Sequence, residues 1–91
     1  MTARRIAARR DKNEAELVSY LRTLGFNITR ASGNGLPDLI LSRRQCWHFA
    51  EVKMKNGSFT AAQNTFREHH TAKVHRLETL DDCLTLSKGV P

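Results

Sequence analysis

Two short apolar segments, each with an acidic residue at a corresponding end, constrain the fold of this chain most. The first segment reads Pro37-Asp38-Leu39-Ile40, and the second ends in Glu51-Val52-Lys53. The polar stretch 42–45 between them is short enough to form a hairpin turn. The pattern therefore predicts two adjacent strands that bring Asp38 close to Glu51. Since alternate residues of a strand share a face, Lys53 is expected on the same side as Glu51.

The rest of the sequence predicts a mixed α/β domain. Apolar residues recur with helical period between Leu17 and Leu24, so we predict a helix over 12–24, with Asp11 as its cap and Glu14 closing a capping box. Alternating or apolar stretches predict strands over 26–30, 36–41, 46–54 and 74–77, and helices over 60–70 and 79–86. The resulting order, α-β-β-β-α-β-α, describes a small central mixed sheet flanked by helices.

Composition indicates one domain with a polyanionic partner. The chain has 91 residues, and 15 Lys and Arg against 9 Asp and Glu give a net charge of +6. Such a surplus in a small protein favours nucleic acid as the partner. Residues 1–11 are rich in arginine and poor in large apolar residues, so we expect a basic flexible arm followed by a folded domain over 12–91.

The sequence predicts neither a membrane span nor a secretory signal. Its apolar runs are far shorter than the roughly 20 residues of a spanning helix, and no apolar region follows the basic start. We therefore expect no membrane partner and a cytoplasmic location, either nucleoid-associated or in a host cytoplasm if the source is viral. Cys46 and Cys83 lack the close spacing of a zinc site and are interpreted as reduced structural residues.

Glu14 is a candidate third acid beside Asp38 and Glu51. Helical geometry places it at the edge of the apolar stripe, so its carboxylate is expected to point toward the sheet. A buried carboxylate is costly without a partner, and a cation or water shared with the other two acids would satisfy it. The alternative is that Glu14 only completes the capping box with Asp11.

These residue types match the chemistry of phosphodiester hydrolysis, which needs an activated water and neutralisation of charge on phosphorus. Mg²⁺ or Mn²⁺ supplies both, and hard cations take a few oxygen ligands while keeping several waters. Asp38, Glu51 and the main-chain carbonyl of Val52 are the predicted ligands, with Glu14 joining directly or through water. Lys53 would orient the attacking water or polarise the phosphate. Its alternatives are a surface lysine or an ion pair with Glu51.

The Pro37-Asp38 and Glu51-Val52-Lys53 motifs resemble those of the PD-(D/E)xK nuclease superfamily, over residues 12 to about 80. The helix-one sequence Glu14-Ala15-Glu16-Leu17 is similar to archaeal Holliday-junction resolvases, and 57–63 looks still more like the VRR-NUC branch. The resemblance implies a restriction-endonuclease-like fold, with Glu14 as the catalytic helix-one glutamate. It also implies that Gln63 holds a water or phosphate oxygen, unless it is a solvated helix residue, and that Ser32 contacts the substrate phosphate.

Basic residues along the chain are candidates for DNA phosphate contacts, although a solvated surface is the alternative for about half of them. Those assigned to DNA binding with Ser32 are Arg43, Arg44, Lys55 and Arg67, and Lys73, Arg76 and the amino-terminal arginines are further candidates. The aromatic residues Trp47 and Phe49 share a strand face with Glu51 and are expected in the core beneath helix one. His69, His70 and His75 lack partners with metal-ligand spacing and are not assigned to a metal.

The expectation from sequence is a Mg²⁺- or Mn²⁺-dependent endodeoxyribonuclease acting as a homodimer on branched DNA. Selectivity for a Holliday junction, flap or other branch is expected because the chain has no room for a module that reads bases. Two alternatives stay open. One is a nucleic-acid-binding protein without catalytic turnover, and the other is a nuclease subunit that needs a partner protein.

Overall fold

Within residues 12–91, which the computed structural model describes, the predicted order of helices and strands is confirmed. The elements are α1 (Glu14–Thr23), β1 (Asn27–Arg30), β2 (Leu39–Arg43), β3 (Cys46–Val52), α2 (Ala61–His69), β4 (Val74–Leu77) and α3 (Leu80–Gly89). The basic arm over 1–11 and the predicted cap Asp11 lie outside the described residues. The protein is thus a small mixed α/β domain with three helices in its described part.

The four strands form one mixed sheet in the order β1-β2-β3-β4. The first three strands are antiparallel neighbours, and β4 pairs in parallel with β3 after the crossover that contains α2. The predicted hairpin between β2 and β3 is confirmed, with Leu39 opposite Ala50. Its turn has positive φ at both Arg44 (53°) and Gln45 (66°), the backbone geometry that fits the twist of two-residue hairpins.

The core lies on one face of this sheet, under α1 and α3. Alternate strand residues point into it, as expected for a sheet with one face covered. The buried apolar residues are Leu17, Val18 and Leu21 of α1, Phe26, Leu39, Leu41, Ala50, Val52 and Leu77 of the sheet region, and Cys83 and Leu86 of α3. In contrast, α2 has no buried residue, so it is held mainly by contacts at its amino-terminal end.

Trp47 is not in the core, and the prediction that placed it there was wrong. Its side chain is 71% exposed, and Phe49 is only partly buried. Ala50 and Val52 point toward the helices, so Trp47, Phe49 and Glu51 occupy the opposite face of the strand. Both faces of β3 carry apolar residues, and for this reason the sequence pattern did not reveal which face α1 covers.

The amino-terminal end of α1 differs from the predicted capping box. Asn13 is the N-cap residue, and Glu14 is the first helical residue instead of the third. The Asn13 side chain does not cap the helix but donates to the carbonyl oxygens of Lys53 (3.3 Å) and Glu78 (2.8 Å). These bonds attach the start of α1 to the ends of β3 and β4, and so to the sheet edge that carries the predicted site.

Two further expectations concern membranes and cysteines. In the part of the chain that the structure describes, no helix has the length and apolarity needed to cross a bilayer. Cys46 and Cys83 are both free thiols, as predicted, and Cys83 is fully buried against the core. Burial and the nearby Asp82 raise the pKa of the Cys83 thiol to about 11, so this thiol is inert at neutral pH.

Candidate active site

Asp38 and Glu51 meet at one end of the sheet. Asp38 precedes β2 and Glu51 is the penultimate residue of β3, so the Leu39–Ala50 register sets them side by side. The Val52 N–H donates to Asp38 Oδ2 at 2.8 Å and fixes that carboxyl group. Glu51 is 1% exposed, and its carboxyl group lies within hydrogen-bonding range of Asp38. Burial, followed by the contact with Asp38, raises the pKa of Glu51 to about 8.

The raised pKa means that Glu51 is mostly protonated at neutral pH when no cation is bound. A divalent cation would take the place of that proton, and the carboxylate oxygens are ligands that Mg²⁺ and Mn²⁺ prefer. The Val52 carbonyl adds a third oxygen, because the N–H and C=O of a strand residue point to the same side and its N–H points to Asp38. The donor set therefore fits a hard divalent cation.

Gln63 contacts this pair directly. Its Nε2 donates to Glu51 Oε1 at 3.1 Å, while its Oε1 accepts from the Thr60 N–H at 2.9 Å. The Thr60 hydroxyl in turn accepts from the Gln63 N–H, which completes a capping box at the start of α2. One side chain thus caps the helix and orients Glu51, so Gln63 lies beside the carboxyl pair.

Lys53 lies on the Glu51 side of the strand. Its positive charge acts to lower the pKa of Glu51, opposing burial and the Asp38 charge. The Lys53 ammonium group is 5.6 Å from the centre of the Phe59 ring, a distance that permits a cation–π interaction. The ammonium group is therefore close enough to the carboxyl pair to affect its protonation, as the spacing of the motif predicts.

Glu14 is buried as expected, but its partner is Arg30. The Glu14 side chain is 5% exposed, and its Oε2 lies 3.0 Å from the Arg30 Nε. Arg30 opposes Leu39, which follows Asp38, so this ion pair lies at the same end of the sheet as the carboxyl pair. Among residues 12–91, no three His, Cys, Asp or Glu side chains form a group with metal-binding geometry. Sequence reasoning missed Arg30, although it ends the first strand.

The residues assigned to DNA binding divide into two groups. Ser32 lies in the exposed loop that closes through the Ala31 N–H to Asp38 carbonyl bond (2.8 Å), and Lys55 is exposed just after β3. Arg67 is exposed on α2 and stacks on Phe59, with its guanidinium carbon 4.0 Å from the ring centre. Arg44 is at the hairpin turn, about 20 Å along the strand from Asp38. Three of these residues therefore lie near the carboxyl pair and Arg44 does not.

Arg43, which was assigned to DNA contact from the sequence, has a structural role in the fold. Its guanidinium group donates to the carbonyl oxygens of Leu24, Ser87, Val90 and Pro91 and to the Ser87 hydroxyl, at 2.6 to 3.0 Å. It also stacks on Phe26, 4.1 Å from the ring centre. These acceptors include carbonyl groups at the carboxyl-terminal ends of α1 and α3, which have no partner within their own helices. Arg43 thereby connects both helices to the sheet.

Gly35 brings α2 close to the loop before Asp38. Its φ is +86°, and a Cβ atom at this position would lie 2.5 Å from the Ala62 carbonyl oxygen. We expect Gly35→Ala to destabilise the protein by about 2–3 kcal/mol, because it adds both backbone strain and a steric clash. Thermal unfolding measures the effect. Gly89→Ala is the matched control, since a Cβ atom there meets no neighbour; equal melting temperatures for the two variants would contradict the prediction.

Comparisons with known proteins do not add to this geometry. No family model matches the chain, and neither a curated protein nor a solved structure does.

Proposed function

We propose that this protein is a divalent-metal-dependent DNA endonuclease with a restriction-endonuclease-like fold. The observation that carries the proposal is the contact between the Asp38 and Glu51 carboxyl groups, beside Lys53 and Gln63, in a chain of net charge +6. A buried Glu51 in contact with a second, partly buried acid is unusual in a structural role, because separating the two would relieve the repulsion. A carboxyl group with a raised pKa beside a cation, as at Glu51, is typical of catalytic sites.

The topology supports this fold assignment. A helix precedes three antiparallel strands, and a helical crossover leads to a fourth strand parallel to the third. This is the α-β-β-β-α-β order that the PD-(D/E)xK resemblance implies, with the acidic residues at the predicted strand ends. The predicted helix-one glutamate, Glu14, is also at this end of the sheet, where it pairs with Arg30.

Mg²⁺ or Mn²⁺ bound by Asp38, Glu51 and the Val52 carbonyl would activate a water molecule and neutralise charge on the phosphate. The protein groups supply orientation and charge around it. The Val52 N–H holds one Asp38 oxygen and Gln63 holds one Glu51 oxygen, and these two bonds orient the carboxyl groups. Lys53 provides a positive charge on the same side, suited to a phosphate oxygen or to the attacking water.

The proposed substrate is branched DNA, such as a Holliday junction or flap. The residues near the carboxyl pair that suit a polyanion are basic or small polar side chains, which recognise the phosphate backbone and not base edges. A homodimer would present two such sites to two strands. Light scattering after size-exclusion chromatography tests that assembly, and a monomer at all accessible concentrations would contradict it.

Cleavage assays test the proposed activity. Purified protein is incubated with a synthetic four-way junction, a flap and a linear duplex of matched sequence, each with Mg²⁺, Mn²⁺ or EDTA. We expect metal-dependent cleavage, faster on the branched substrates, and none in EDTA. Folded protein that cuts none of these DNA molecules with either metal would contradict the proposal. Equal rates on linear and branched DNA would contradict only the structural selectivity.

The Glu14–Arg30 ion pair favours a second candidate, a nucleic-acid-binding protein without turnover. In that case the carboxylate that the resemblance assigns to catalysis is already neutralised by a cation of the same chain. Arg30→Gln distinguishes the two functions. In a nuclease it removes the positive charge beside Glu14 and changes the metal dependence of cleavage, whereas in a binding protein it changes only the affinity for DNA and the stability.

A further inference from the structure

Three basic side chains converge on the ring of Phe59. The guanidinium carbon of Arg67 lies 4.0 Å from the ring centre, that of Arg76 lies 5.5 Å away, and the Lys53 ammonium lies 5.6 Å away. The three cations come from different elements: Lys53 follows β3, Arg67 is on α2 and Arg76 is on β4. Only the folded chain brings them together. We refer to Lys53, Phe59, Arg67 and Arg76 as the Phe59 cluster.

We propose that the Phe59 cluster binds a phosphodiester group of nucleic acid next to the phosphate at the carboxyl pair. Like charges held around one ring repel each other, and an anion between them removes that repulsion. The electron-rich face of an aromatic ring attracts cations and keeps them in place without neutralising them. The ring therefore holds three cations together; Arg76 is also ion-paired with Glu78, so Lys53 and Arg67 supply the surplus positive charge for an anionic ligand.

The cluster is pre-organised for such a ligand. Arg67 is fixed by stacking on Phe59 and by a bond from its Nη1 to Asn64 Oδ1 at 3.2 Å. Arg76 is fixed by an ion pair between its Nε and Glu78 Oε2 at 2.7 Å, which offsets its charge but leaves both terminal nitrogens of its guanidinium group to donate elsewhere. Guanidinium groups with free N–H donors bind phosphate oxygens in a forked geometry.

The position of the cluster connects it with the carboxyl pair. Arg76 is the β4 residue opposite Glu51, and Lys53 follows Glu51 by two residues. Arg67 lies one helical turn after Gln63, whose side chain donates to Glu51. The cluster and the carboxyl pair thus lie on one surface, and neither Asp38 nor Glu51 belongs to the cluster. That the bound phosphate neighbours a scissile one rests on the proposed nuclease function; the anion site itself does not.

We expect the Phe59 ring to make cation–π contacts with the basic side chains and not to stack on a nucleic-acid base. The ring is partly buried, and the Arg67 guanidinium lies at stacking distance over it. Base stacking would require Arg67 to leave the ring. The cluster is therefore expected to bind single strands with little preference among bases, through charge and N–H donation to phosphate.

Binding of a short fluorescein-labelled oligothymidylate, followed by anisotropy in EDTA across a range of NaCl concentrations, tests the inference without cleavage. Arg67→Gln is expected to weaken binding about tenfold at low salt and to reduce the slope of log affinity against log salt by about 0.7. Arg22→Gln removes the same charge from the carboxyl-terminal turn of α1 and is the matched control. Arg67 and Arg22 are both exposed, so neither variant should unfold.

A double-mutant cycle tests the role of the ring. Phe59→Leu is expected to weaken binding several-fold in the native background and to have little further effect together with Arg67→Gln. If Arg67→Gln and Arg22→Gln bind identically, the inference is wrong. If Arg67→Gln loses affinity but the unaltered protein cuts no DNA, the anion site stands and the nuclease proposal falls. If the unaltered protein cuts DNA in a metal-dependent way but Arg67→Gln and Arg22→Gln bind with identical affinity, the nuclease proposal stands and the anion site falls.

Discussion

Glu51→Gln is expected to abolish DNA cleavage and at the same time to stabilise the metal-free protein at pH 8. The loss of cleavage should be about 1000-fold or more, because removing a metal ligand and the charge stabilisation that depends on it costs about 4 kcal/mol of activation free energy. The gain in stability arises because Gln has the shape of a protonated Glu and keeps a hydrogen-bonding group beside Asp38 without ionising. A purely structural Glu51 would not couple these two results.

The sign of the pH effect follows from the pKa of Glu51, which is about 8 in the folded protein against 4.5 as the ordinary value. Between these values the folded state binds a proton that the unfolded state has released, so the free energy of unfolding falls as pH rises through this window. The loss of unfolding free energy should reach about 2 kcal/mol or more. Each pKa unit between the folded and the unfolded state corresponds to about 1.36 kcal/mol, and local relaxation of the folded protein offsets a part of this loss. Glu51→Gln lacks this loss.

The measurement is the difference in unfolding free energy between the native protein and Glu51→Gln, from denaturant titrations in EDTA at several pH values. His48 and His75 also titrate, with pKa values that burial lowers. Their contribution to the pH dependence of the unfolding free energy is the same in the native protein and in Glu51→Gln, so it cancels in the difference. Glu16→Gln is the control, as Glu16 is exposed on α1. If the difference in unfolding free energy between the native protein and Glu51→Gln did not change with pH, Glu51 would ionise normally. If Glu51→Gln cleaved DNA at the native rate, Glu51 would have no role in catalysis.

Arg43→Met is expected to lower the free energy of unfolding by about 3 kcal/mol, which corresponds to a melting temperature lower by about 10–20 °C. Met keeps an apolar side chain against Phe26 but cannot donate. The carbonyl oxygens of Leu24, Ser87 and Val90 then lose their partner, and α1 and α3 lose their connection through the end of β2. Arg43→Lys should recover only a small part, because an ammonium group cannot reach several acceptors in the same fork.

The neighbouring Arg44 provides the control for this substitution. Arg44 is exposed in the hairpin turn, and Arg44→Met removes the same charge with the same change of side chain. We expect its melting temperature to stay close to that of the native protein. If Arg43→Met unfolded at the native temperature but bound DNA more weakly, the original assignment of Arg43 to phosphate contact would be correct after all.

Local patterns accounted for the elements and for the central pair of acids. The helices follow from apolar residues with helical period, and the hairpin from two apolar segments joined by a polar turn. Once β2 and β3 pair, residues that flank the hairpin symmetrically must meet, so the contact of Asp38 with Glu51 is a consequence of register. Gln63 was assigned to the site through the resemblance, and its contact with Glu51 depends on where α2 begins relative to the end of β3.

Other features depend on contacts between elements that are distant along the chain. A strand apolar at both parities does not reveal which face the helices cover, so Trp47 was assigned to the core although it is exposed. The partner of Glu14 is an arginine whose proximity depends on how α1 crosses β1, and not on any spacing in the motif. Arg43 looked like a surface cation until packing placed helix ends around it.

The amino-acid sequence alone therefore determined the order of the elements, the hairpin and the meeting of Asp38 with Glu51, because each follows from periodicity and pairing within one stretch of chain. Tertiary packing decided which charges are neutralised and which stay available. Arg30 and Arg43 are engaged by groups of their own chain. Lys53, Arg67 and Arg76 gather around Phe59, and although Glu78 offsets the charge of Arg76, N–H donors are left there for a ligand. The physical reason is that charge pairing depends on distance in space, and neither composition nor spacing contains that distance.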